Sequence, residues 1–101
     1  MKRILAALAV SASAVSVANA ESLNDGYVGC LSDEYLDQFI QAQVKGDKQG
    51  MDYLFKQQVC VPTSSNFKIS VLDRGFVTTK YRVYVGDDAV VLYSPSEAIS
   101  R

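Results

Sequence analysis

Histidine is absent from this chain, and cysteine occurs only twice, at Cys30 and Cys60. The first absence removes the usual Ser-His and Cys-His nucleophile pairs and most zinc sites, each of which needs an imidazole. No Gly-rich phosphate loop is present, and the two cysteines lack the close spacing of redox-active or metal-binding pairs. Carboxylates are what remain for chemistry: Asp33, Glu34 and Asp37 near a predicted helix start, and Asp87 and Asp88 in a predicted turn. Glycoside hydrolysis needs two carboxyls at a fixed separation across a cleft, and a calcium loop needs further oxygen ligands. Dipole complementation and turn chemistry account for these acids without either. No enzyme activity, no cofactor and no metal site is therefore expected.

Long apolar runs are also scarce. Lys2 and Arg3 precede an apolar stretch from Ile4 to Val17, interrupted by Ser11, Ser13 and Ser16 and followed by Ala18-Asn19-Ala20. This is the tripartite pattern of a signal peptide with a small-x-small cleavage site. The run falls short of the roughly 20 residues a membrane-spanning helix needs, and no second one follows. Residues 1–20 are thus read as removed, leaving an exported product of residues 21–101 without a transmembrane segment. Gly29-Cys30 does not read as a lipidation site, because Tyr27 and Val28 are bulky and lie far beyond the apolar run. The location expected is periplasmic or secreted, the former if the cell has an outer membrane.

Removing the leader leaves eight Lys and Arg against eleven Asp and Glu, a formal charge of −3. That balance gives no footprint for nucleic acid or an anionic membrane. A single domain this small buries little apolar surface, and an oxidising compartment allows a covalent staple. With two cysteines, one pairing exists, Cys30–Cys60.

Between the cysteines, residues 30–60, the pattern predicts a helical hairpin. Ser32 is a suitable N-cap, with Asp33 and Glu34 in the first turn. Leu36, Phe39, Ile40 and Val44 recur at helical spacing, and Gly46 is a natural stop. Asp47 then caps a second helix carrying Met51, Leu54 and Phe55. On this reading the disulfide closes the hairpin at its base.

From 61 to 101 the period becomes two. Phe67, Ile69 and Val71 alternate with Lys68 and Ser70, and Asp73-Arg74-Gly75 turns the chain. A strand over about 76–85 puts Val77, Thr79, Tyr81, Val83 and Val85 on one face and Thr78, Lys80, Arg82 and Tyr84 on the other. Gly86-Asp87-Asp88 turns again, Ala89 to Tyr93, apolar on both faces, reads as a central or covered strand, and Ser96 to Ile99 as a helical turn. Val59 to Val61 adds an edge strand that Pro62 ends. The predicted class is α+β, a disulfide-closed N-terminal helical hairpin followed by a small antiparallel sheet. The segment from Phe67 through Arg74-Gly75, Lys80 to Tyr93 and the closing turn resembles part of a bacterial SH3-like small barrel. That resemblance implies a binding module rather than an enzyme.

Two groups of side chains are candidates for binding. Lys68, Lys80 and Arg82 share a face with Tyr84 if the first two of these strands pair, which suits an acidic peptide or an anionic envelope group. Tyr27 and Tyr35 flank the first cysteine and are of the type that interfaces favour. The expected function is a periplasmic binding or accessory protein holding a protein or envelope component. The alternative is an inhibitor or immunity protein acting on a foreign hydrolase, toxin or phage factor.

Overall fold

The computed structural model describes residues 21–100, so the expected signal peptide lies outside the described residues. In chain order the elements are β1 (Ser22–Leu23), β2 (Val28–Cys30), α1 (Asp33–Lys45), α2 (Lys48–Lys56), β3 (Cys60–Pro62), β4 (Lys68–Arg74), β5 (Thr78–Val85) and β6 (Asp88–Pro95). A 3₁₀ turn over Ser96–Ala98 and β7 (Ile99–Ser100) complete the fold. The class is α+β, with two helices, antiparallel sheets and a Cys30–Cys60 disulfide.

Local chemistry sets the helices. Ser32 sits in extended backbone and its Oγ accepts the Tyr35 N–H at 3.1 Å, satisfying one of the amides that a helix start leaves open. Gly46 ends α1 in the left-handed region at φ 70°, where a side chain would be strained. Asp47 starts α2 by accepting the Gly50 N–H at 2.9 Å. Phe39 of α1 meets Phe55 of α2 edge to face, with ring centroids 5.2 Å apart. Val44, expected on the apolar face, is instead 79% exposed. The buried stripe follows Leu36, Phe39 and Ala42, and Val44 lies about 200° around the helix from Ala42.

Helices do not open the described chain, which corrects the expected N-terminal helical hairpin. Strands β1 and β2 come first, and the disulfide belongs to the sheet, because Cys30 and Cys60 are cross-strand partners in β2 and β3. The reason lies in long-range pairing. Val28–Cys30 is only three residues long, too short for a periodicity, and it is extended because β3 flanks it on one side and β6 on the other. The main sheet runs β3-β2-β6-β5-β4, and β1 pairs with β7 in a separate two-stranded sheet. Strand β6 is central, as its two-sided apolar pattern predicts, and extends to Pro95.

Each face of the main sheet has its own core. On one, Val28, Cys30 and Cys60 pack with Leu36, Phe39 and Leu54 of the helices, and Tyr93 borders the cluster. On the other, Tyr81, Val83 and Leu92 pack with Leu23 of β1 and Ala98. Ile69, Val71, Val61 and Ile99 close in around this second core. Polar atoms within it are paired. The Tyr81 and Ser94 hydroxyls lie 2.7 Å apart, and Ser94 Oγ donates to the Val28 carbonyl at 2.7 Å, tying β5, β6 and β2 together. Gly29 lies directly over this pair, where any β-carbon would stand 2.6 Å from Tyr81 Oη. The ends of β5 differ from expectation: Val77 precedes the strand, and both Val77 and Val85 are exposed. Only Thr79, Tyr81 and Val83 reach the covered part of the sheet.

Candidate functional site

Pairing of β4 with β5 sets Lys68 opposite Tyr84 and Ser70 opposite Arg82. Strand alternation then places Lys80, Arg82 and Tyr84 on one side of β5, with Lys68 and Ser70 on the same side of β4. A bulge between Val71 and Asp73 shifts the register so that Asp73, not Leu72, is opposite Lys80. This is the sheet face on which the helices sit. They contact it at the β2 end, where Cys30 pairs with Tyr93. Lys68 and Tyr84, toward the β4 edge, are exposed.

Three of the four residues form one cluster. Tyr84 Oη lies 2.9 Å from Ser70 Oγ, and Arg82 is the next outward residue on the same strand face. The hydrogen bond with Ser70, followed by that with Arg82 and its positive charge, holds the Tyr84 hydroxyl below its ordinary range. Replacing Ser70 with Ala is expected to move the Tyr84 transition back up toward 10.0, read as phenolate absorbance against pH, with Tyr84→Phe identifying the signal. An unchanged transition would mean that the two hydroxyls do not pair in solution.

Lys80 has different surroundings. Its Nζ stands 5.9 Å from the Tyr93 ring centroid, a cation–π distance, and it borders a cavity of about 240 Å³ with Asp33, Asp73, Thr78 and Tyr93. Two carboxylates, Asp33 and Asp73, line that cavity beside it. None of Lys68, Lys80 and Arg82 forms an ion pair within 4.0 Å among the described residues, where the pair present is Arg74 with Glu21 at the foot of β4; Lys80 differs in sharing its cavity with Asp33 and Asp73. The anion-accepting part of the face is therefore Lys68, Ser70, Arg82 and Tyr84, with Lys80 at its inner margin. Residue type alone does not single out Ser70, although its place on the face of Lys68 and Tyr84 follows from the same alternation.

Tyr27 and Tyr35 do not come together as one surface. Tyr27 packs against the second core, and its backbone N–H and carbonyl bond the Thr63 side chain and amide, each at 3.0 Å. Tyr35 is exposed on the first turns of α1. The acids singled out above are also dispersed: Asp33, Glu34 and Asp37 lie exposed along α1, and Asp87 and Asp88 at the exposed β5–β6 turn. Among the described residues, no three His, Cys, Asp or Glu side chains gather as a metal site would require. No helix among them is long and apolar enough to cross a membrane. No protein family, curated protein or solved structure matches the chain.

Proposed function

We propose that this chain is a small exported binding or accessory protein that holds an acidic partner, a protein or an envelope component, on the β4–β5 face and performs no catalysis of its own. The observation that carries the proposal is the cluster of Lys68, Arg82 and Tyr84 on an exposed sheet face, with the Tyr84 hydroxyl fixed by Ser70. Two cations beside a phenolic donor suit a carboxylate, since charge-assisted hydrogen bonds exceed neutral ones in strength. The disulfide fits an oxidising compartment, in line with export by a signal peptide at residues 1–20. We also read the β-rich part as an SH3-like binding module. In support, β4, β5 and β6 are consecutive antiparallel strands, and β1 and β7 cover the second core at the side the main sheet leaves open.

The test is crosslinking and co-purification of the disulfide-intact protein from the envelope of its own cell, beside a Lys68→Glu, Lys80→Glu, Arg82→Glu variant. The expected result is a specific partner whose retention falls about tenfold or more in the variant, equivalent to roughly 1.4 kcal/mol. Equal retention by both forms would refute the assignment of this face.

A further inference from the structure

A second surface has the opposite electrostatic character. Two depressions, of about 380 and 400 Å³, adjoin through the shared residues Gln43, Pro95 and Glu97. The first is floored by Phe39, Met51 and Phe55, and the second is walled by Ile40, Phe76 and Val77. Each has the size of a ligand pocket, typically about 300–1,000 Å³. Phe76 is 101% exposed and Val77 73%, which for an aromatic beside an apolar channel is a large uncovered surface on so small a domain.

These walls are fixed to one another. The Ser96 N–H donates to the Val77 carbonyl and Ser96 Oγ to the Gly75 carbonyl, both at 2.8 Å, so the Phe76 turn is pinned to the 3₁₀ turn that carries Glu97. Asn24 holds that turn from the other side, its N–H donating to the Ala98 carbonyl at 2.8 Å and its Nδ2 to the Glu97 carbonyl at 3.2 Å. The backbone that carries Phe76 is fixed in this way, which lowers that part of the ordering cost of binding. Among the described residues that line the two depressions, Glu97 is the one of Asp, Glu, Lys or Arg type, and it stands where they meet. An apolar occupant carrying a cation would satisfy both the walls and the carboxylate.

We infer that this channel binds an apolar peptide segment of a partner protein bearing Lys or Arg between its hydrophobic side chains, seated on Phe39, Met51, Phe55 and Phe76 with the cation at Glu97. This goes beyond the acidic partner proposed for the β4–β5 face and does not depend on it. The probe is a short synthetic peptide of alternating Leu, Phe and Lys, compared with its Lys→Glu counterpart, titrated into isotope-labelled protein. The expected result is saturable shifts of the Ile40, Gln43, Phe76, Val77 and Glu97 amides, with the lysine peptide binding at least about tenfold tighter. Glu97→Lys is expected to reverse that preference, and Phe76→Ser to weaken both peptides. Both side chains are exposed, so a dispersed spectrum should confirm that each variant is folded. No saturable binding, equal binding of the two peptides, or no effect of Glu97→Lys would overturn the inference. Concentration-dependent self-association abolished by Phe76→Ser would overturn it too, by assigning the channel to a second copy.

Discussion

Replacing Cys30 and Cys60 together with serine is expected to remove about 3–4 kcal/mol of stability. The bridge closes a separation of 30 residues, and on the chain-entropy account a loop of that size falls in this range. Small domains hold only about 5–15 kcal/mol in total. The loss should appear as a fall of roughly 15–25 °C in the thermal midpoint at this chain length. Its structural consequence should be local first. The cysteines join β2 to β3 while lying in the core beneath Leu36, Phe39 and Leu54, so amide exchange should accelerate in β3 and both helices before β5 and β6. A midpoint within a few degrees of the parent would mean that the bridge does not form in the native protein.

Changing Gly29 to Ala should cost about 1–3 kcal/mol, the usual range for overpacking a filled core. The added carbon would meet Tyr81 Oη at 2.6 Å, Leu92 Cδ1 at 3.2 Å and Ser94 Oγ at 3.3 Å. Tyr81 is fully buried and hydrogen-bonded, so it has no open space to turn into. Tyr81→Phe alone should cost about 0.5–1.5 kcal/mol for the lost hydrogen bond, with Ser94 Oγ still able to donate to the Val28 carbonyl. Combining the two removes the oxygen that the new methyl strikes. The double variant should then be more stable than the sum of single losses predicts by about 1 kcal/mol, within the usual range for residues in contact. Urea denaturation of the four proteins measures this coupling. Strict additivity would contradict the placement of β2 over the Tyr81–Ser94 pair.

Much of the architecture is legible from residue pattern because it is local. Ser32, Gly46 and Asp47 mark helix ends by chemistry that acts within a few residues, and the alternation from Lys68 to Val83 sets the faces of β4 and β5 in the same way. Strand β2 is not legible. Its extended form comes from partners 32 and 63 residues away, Val61 and Tyr93 against Gly29 and Cys30. Val44 and Val77 mislead for a related reason: hydrophobicity is a property of the residue, but burial depends on whether another element reaches it. Within the candidate site, the period-two pattern already unites Lys68, Lys80, Arg82 and Tyr84. What it does not carry is the arrival of Asp33 from α1 and of Asp73 past the bulge, which set Lys80 apart. The Phe76–Glu97 channel is likewise assembled from a helix, two turns and the end of β6, which no short window of residues contains.

The binding assignment is tested most directly by placing a photo-crosslinking side chain at Tyr84 in the full-length chain and irradiating intact cells, with the same group at Tyr53, exposed on α2, as the comparison. The account predicts a discrete adduct from position 84 that is absent from position 53 and disappears when Lys68 and Arg82 are changed to Glu. No adduct at 84, or one that persists unchanged after both substitutions, would contradict it.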